Sequence, residues 1–202
     1  MNPLKKLFKQ TAIYGLATVL PRMISFLLVP IYTDVMAPGK YGEVTLIFSW
    51  FAIFNVFLAY GMETAFFRFY KEADNRKKVV STSLLSIMGS TILLVLIGIL
   101  FKEKLSNALN IDLVFMNYVL GILALDALAI IPFAWLRANE KPMRYAIVKI
   151  LNVSLNLGFT LFFLILLPKM ADGTSTGFLN SIYKPDYEIP YILISTLIAS
   201  GV

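Results

Sequence analysis

The chain has 202 residues, of which 58% are hydrophobic and 15% charged, and a net charge of +6. Soluble domains carry about 45–50% apolar and about 25% charged residues, and here the charges gather in short clusters between apolar runs long enough to span about 30 Å of hydrocarbon. Most soluble folds are excluded, and the expected class is all-α, a polytopic bundle of transmembrane helices.

With neither cysteine nor histidine in the chain, disulfides, thiolate chemistry, the usual zinc, copper and haem ligands and every Ser-His or Cys-His nucleophile are closed off. No cofactor, no metal and no enzymatic activity are expected. The cations are strung between apolar runs rather than gathered on one soluble face, which argues against a nucleic-acid partner.

The first apolar run, residues 11–36, follows the basic start Lys5, Lys6 and Lys9. A signal peptide begins similarly, but its apolar region covers only about 7–15 residues. This run is longer and carries Arg22 at its centre, so it reads as a retained span. The second, 44–67, follows the turn signal Pro38-Gly39 and ends at the charged stretch Arg68 to Lys78. Spans three to five cover 79–101, 113–136 and 145–168, and a polar segment from Lys169 to Glu188 follows, with Gly173, Gly177 and Pro185 as breakers. The last run, 189–202, would rise only about 21 Å as a helix, too little to cross. A single bundle cut short in its sixth span is therefore expected.

Alternate loops divide the remaining cations unequally: eleven Lys and Arg flank the N-terminus, the 68–78 stretch and the 137–144 stretch, against five in the other loops. Cytoplasmic loops carry the positive excess, which predicts a cytoplasmic N-terminus in a multi-pass protein of the cell membrane.

Four ionisable residues fall within the spans: Arg22, Glu63, Asp126 and Lys149. Each would cost about 2.5–3.5 kcal/mol or more facing lipid, so each should face protein or a watery cavity. Their distances from the flanking charges place Arg22 and Asp126 near the midplane, and Glu63 and Lys149 at a shallower level on the cytoplasmic side. One reading pairs them structurally, Arg22 with Asp126 and Glu63 with Lys149, each pair neutralising its own burial cost. Lys149 has the further option of snorkelling to the interface.

The neighbours of these charges favour a functional reading. At 100° per residue, Thr11, Tyr14, Thr18, Arg22 and Ser25 lie within roughly 60° on one face of the first helix, and Tyr145, Lys149, Asn152, Asn156 and Thr160 within roughly 80° on the fifth. Continuous polar stripes containing a cation fit a water-filled path. The shorter row Thr82, Ser86 and Ser90 on the third helix fits interhelical hydrogen bonding. Pro21, Pro30 and Pro132 each free a backbone carbonyl inside a helix and suit bending. The expected substrate-binding residues are Arg22, Thr18, Ser25, Asn152 and Asn156, with Asp126, Glu63 and Lys149 as coupling or ion-pair groups.

Several short motifs occur in order: the central arginine of the first span, Pro30-Ile31-Tyr32-Thr33, Ala37-Pro38-Gly39-Lys40-Tyr41-Gly42-Glu43, and Gly61-Met62-Glu63-Thr64-Ala65-Phe66-Phe67-Arg68-Phe69-Tyr70. In these the chain resembles the polysaccharide-biosynthesis branch of the multidrug/oligosaccharidyl-lipid/polysaccharide exporter superfamily, the O-antigen flippases of the Wzx type, most sharply over residues 5–80. The resemblance implies a MATE-like transporter of 12 to 14 spans in two lobes, of which this chain would be most of one. It also implies a cationic cavity that holds the pyrophosphate and sugars of an undecaprenyl-linked oligosaccharide while the lipid tail stays in the bilayer. Arg22 is the residue it carries across. Implied partners are the lipid-linked oligosaccharide, membrane lipid, a polysaccharide polymerase and glycosyltransferases. Competing expectations are a cation- or proton-coupled multidrug antiporter using Asp126 or Glu63, an intramembrane transferase, and a non-transporting scaffold. A cationic midplane favours an anionic pyrophosphate, an acidic one a cationic drug, and a scaffold should have its stripes filled by neighbouring side chains.

Overall fold

The computed structural model describes residues 3–171 and 183–202, and the regular elements among them are all helical. They are α1 (Pro3–Val35), α2 (Pro38–Ala59), α3 (Met62–Glu72), α4 (Arg76–Leu100), α5 (Lys102–Leu109), α6 (Met116–Ala138), α7 (Pro142–Leu161), a π-helical turn (Phe162–Leu166), α8 (Leu167–Ala171) and α9 (Glu188–Ser200). Five helical segments are long and apolar enough to cross a membrane: Thr11–Val35, Pro38–Glu72, Arg76–Leu100, Met116–Ala138 and Pro142–Met170. α9 is a shorter apolar helix. The chain is thus a polytopic transmembrane bundle. The breakers Gly173 and Gly177 lie outside the described residues.

Local chemistry accounts for the helix starts. Proline stands at the first turn of α2 and of α7, where its missing N–H is no loss. The Asn75 side chain caps α4 by accepting from the Lys78 amide at 3.2 Å. α1 runs unbroken through Pro21 and Pro30, as α6 does through Pro132.

The second span is not one helix. It breaks between α2 and α3, where Tyr60 has φ 29° and Gly61, the residue preceding α3, φ 71°. Gly61 supplies a left-handed conformation that side chains resist. The Tyr60 hydroxyl anchors the break within 3.1 Å of Ser86 Oγ on α4, and Ser90 Oγ donates to it at 3.4 Å. Two members of the polar row on the third span therefore act as interhelical glue. Beyond the break α3 is amphipathic, burying Phe66 and Tyr70 while Arg68, Lys71 and Glu72 stay exposed.

α6 is the hub, packed against α4, α9, α2, α3 and α7. Lipid offers no hydrophobic drive for helix association, so close packing and small residues carry it. Gly98 of α4 is such a contact, since a methyl group there would collide with the Leu120 side chain of α6. One core cluster joins Leu28, Ile47, Phe51, Ile122, Leu164 and Ile192; a second, around the break, joins Phe66, Tyr70, Ile87, Ile131 and Ala134. At the turn between α5 and α6, Trp50 Nε1 donates to the Leu109 carbonyl at 3.1 Å and Ser106 Oγ to that of Ile111 at 2.7 Å.

α1 packs chiefly along α7 and only briefly on α2. Tyr14 near the start of α1 meets Tyr145 at the start of α7, while Ser25 and Tyr32 further on share a cavity with Asn152 and Asn156. The two helices therefore run in the same direction and bring Tyr14 and Ser25 of the α1 stripe to that of α7, while Thr11, Thr18 and Arg22 stay exposed. The opposite flank of α1, with Leu16, Val19, Met23, Phe26 and Leu27, is exposed.

Candidate functional site

Where α1 and α7 meet α9, a cavity of about 310 Å³ opens. Its polar wall consists of Ser25 from α1, Asn152 and Asn156 from α7, and Thr196 and Ser200 from α9. Tyr32 and Phe48 add aromatic surface, and among the described residues no charged side chain lines it. The amides also hold the bundle together: Asn152 Nδ2 donates to the Ala199 carbonyl at 2.5 Å and Asn156 Nδ2 to Thr196 Oγ1 at 3.1 Å. Three residues expected to bind substrate, Ser25, Asn152 and Asn156, thus come together.

The other two stand apart from the cavity wall. Thr18 is exposed and donates its hydroxyl back to the Tyr14 carbonyl at 2.9 Å. Arg22 lies one turn before Ser25, exposed, and no carboxylate of the described residues lies within ion-pairing distance of it.

Asp126 does not pair with Arg22. Its two oxygens accept from Ser200 Oγ of α9 at 2.9 Å and from Asn55 Nδ2 of α2 at 3.3 Å. α6 packs against α2 and α9, whereas α1 packs chiefly along α7, so the Asp126 carboxylate finds neutral donors on the neighbours of its own helix. One hydroxyl, that of Ser200, stands between Asp126 and the cavity.

The expected pairing of Glu63 with Lys149 is likewise corrected: Glu63 pairs with Arg137. α6 packs between α3 and α7, so its arginine intercepts the α3 carboxylate. Lys149 Nζ rests instead 4.5 Å above the Phe133 ring, within the electrostatic reach of Asp126 and Arg137. The two cations are joined by aromatic rings. The Arg137 guanidinium lies 5.4 Å from the Phe67 centroid and 5.7 Å from that of Tyr145, and Tyr145 packs edge-on against Phe133 at 5.4 Å and Tyr14 at 5.5 Å. Among the described residues the Tyr14 hydroxyl and Arg137 Nε are buried without a hydrogen-bond partner.

Sequence reasoning missed Tyr32, Phe48, Asn55, Arg137, Thr196 and Ser200. Thr196 and Ser200 had a usable signal, a spacing of four that puts both hydroxyls on one face of the last apolar run. Asn55 had one in being a lone amide within a span. Tyr32 and Phe48 had none, since an aromatic residue in an apolar run is ordinarily packing.

The family model described as polysaccharide biosynthesis protein matches residues 7–198. No curated protein and no solved structure matches the chain.

Proposed function

The chain belongs to the polysaccharide biosynthesis protein family, and on that premise we propose that it flips an undecaprenyl-pyrophosphate-linked oligosaccharide across the bacterial cytoplasmic membrane for surface polysaccharide assembly. The observation that carries this reading is a polar cavity set between α1, α7 and α9 of an apolar bundle, with the cation Arg22, unpaired among the described residues, one turn away on α1. A guanidinium keeps its charge at essentially any pH and offers a planar fork of donors suited to phosphate. A site halfway across the bilayer leaves room for one gate above and one below.

In this reading the protein is a transporter and not an enzyme, its N-terminus is cytoplasmic, and its partners are the lipid-linked oligosaccharide and the enzymes that make and polymerise it. Arg22 engages the pyrophosphate while the polar cavity takes sugar. Complementation of a flippase-deficient strain by the gene encoding this chain tests it. Arg22→Ala and Arg22→Lys should both abolish surface polysaccharide while the protein inserts at normal abundance. Normal complementation by Arg22→Ala at wild-type abundance removes Arg22 from the site.

A second reading, a cation- or proton-coupled antiporter, draws on Asp126, a carboxylate within the bundle held by donors from two neighbouring helices. It predicts that Asp126→Asn abolishes proton-driven efflux of cationic dyes from everted vesicles, whereas the flippase reading predicts no such efflux from the wild-type protein.

A further inference from the structure

We infer that the cavity between α1, α7 and α9 is a subsite for one uncharged pyranose ring, and that Asp126 behind its wall makes it reject sugars bearing a carboxylate. This rests on the flippase reading and specifies which part of the substrate the cavity takes.

The chemistry of the wall points to a neutral, hydroxyl-rich ligand. Asn152 and Asn156 carry carboxamides, and Ser25, Thr196 and Ser200 hydroxyls. The Thr196 and Ser200 hydroxyls already donate, to the Ile192 carbonyl and to Asp126, and are left to accept, while each carboxamide keeps a second N–H to donate beside the one given to Ala199 or Thr196, a mixture that matches a sugar hydroxyl. A pyrophosphate would ask for cations, and among the described residues none lines the cavity. Arg22 lies outside it, and Lys149, one turn before Asn152, is held over Phe133. Tyr32 and Phe48 supply aromatic surface for the apolar C–H face of a pyranose. The volume of about 310 Å³ stands at the bottom of the range of small-ligand pockets, roughly 300–1,000 Å³. It suits one ring and not a chain of them.

The rejection of acidic sugars follows from one hydrogen bond. Ser200 lines the cavity and donates to Asp126 Oδ1 at 2.9 Å, so a uronic acid in the cavity would bring a second carboxylate to within one hydroxyl of the first. In the low dielectric of a membrane interior such a like-charge approach is strongly unfavourable.

Equilibrium binding in lipid nanodiscs tests the assignment with three probes: undecaprenyl pyrophosphate, the same carrier bearing one N-acetylhexosamine, and the carrier bearing one hexuronic acid. The wild-type protein should bind the N-acetylhexosamine form about tenfold more tightly than the bare carrier, the gain from one or two net hydrogen bonds, and the hexuronic form no more tightly than the bare carrier. Ser25→Leu, which fills the cavity from its exposed edge, and Asn156→Ala should each bring the ratio of neutral-sugar to bare-carrier affinity to about one, whereas Arg22→Ala weakens both lipids and keeps the ratio. Asp126→Asn should admit the hexuronic form. Two results overturn the subsite and leave the flippase reading standing: equal wild-type affinity for the bare and N-acetylhexosamine carriers, or an undiminished ratio in both cavity variants at wild-type thermal midpoints. Tighter wild-type binding of the hexuronic form than of the bare carrier overturns the acid exclusion. Failure of the wild-type protein to bind any of the three overturns both readings.

Discussion

Ser200 Oγ donates to Asp126 Oδ1 at 2.9 Å, joining the end of α9 to the middle of α6 at the edge of the cavity. The other Asp126 oxygen accepts from Asn55 at 3.3 Å, so this one carboxylate ties three helices together. A hydrogen bond to a charged group contributes about 1.5–3 kcal/mol. Ser200→Ala should therefore lower the thermal midpoint of the purified protein, and Asp126→Asn should lower it less when Ser200 is already alanine. A thermal double-mutant cycle reads the coupling, expected at about 0.5–3 kcal/mol. Strict additivity of the two changes would mean that the bond does not form.

The pair of Glu63 with Arg137 fastens α3, the part of the second span beyond the break, to α6. Removing one partner of a fully buried pair costs about 3–5 kcal/mol. Both side chains here are about one-third exposed, which lowers the expected cost to about 1–3 kcal/mol. Glu63→Ala alone should reduce folded yield more than Glu63→Ala with Arg137→Leu, because the single change strands a guanidinium. Lys149→Ala combined with Glu63→Ala should simply add. A rescue of Glu63→Ala by the Lys149 change would reinstate the pairing read from depth alone.

Gly61 holds φ 71° where α2 gives way to α3. A left-handed conformation costs an L-residue roughly 1–2 kcal/mol, so Gly61→Ala should destabilise the protein by about that much although no neighbouring atom obstructs a methyl there. Gly42→Ala, in an ordinary helical conformation with equal space, serves as the control and should be neutral or slightly stabilising, by up to about 1 kcal/mol. Equal thermal midpoints for the two variants would remove the conformational requirement at Gly61.

At the end of the bundle where α2 and α9 begin, Lys40 bridges Asp186 at 2.7 Å and Glu188 at 2.8 Å. The hydrogen bond and charge of Lys40 hold the Asp186 carboxyl below its ordinary value. A carboxyl depressed in the folded state stabilises it above the unfolded value, near 3.9, and that contribution fades as the pH falls through the lower folded value. Wild-type protein should thus exceed Lys40→Met in thermal midpoint at pH 7, and the gap should close below about pH 4. Measuring both proteins at each pH cancels the titration of the other carboxylates. A gap independent of pH would show that Lys40 acts there through packing alone.

The sequence by itself determined the helices and their membrane character, because the length and polarity of an apolar run are local properties that bilayer thickness converts directly into a span. It also aligned Ser25 with the other polar positions of α1, and Asn152 with Asn156 on α7, because a period of 3.6 residues fixes which residues of one helix share a face; that Ser25 meets the two amides was set by the packing of α1 on α7. Tertiary structure decided the rest. Averaged hydropathy carries no information about the sign of φ, so the break at Tyr60–Gly61 was hidden inside one apolar run. Partners are set by which helices are neighbours, a relation that depth along a span does not contain. α6 lies between α3 and α7, so Glu63 meets Arg137 and Lys149 rests on Phe133. Asp126 takes its hydrogen bonds from Asn55 and Ser200 on the helices that pack against its own, and among the described residues no carboxylate pairs with Arg22.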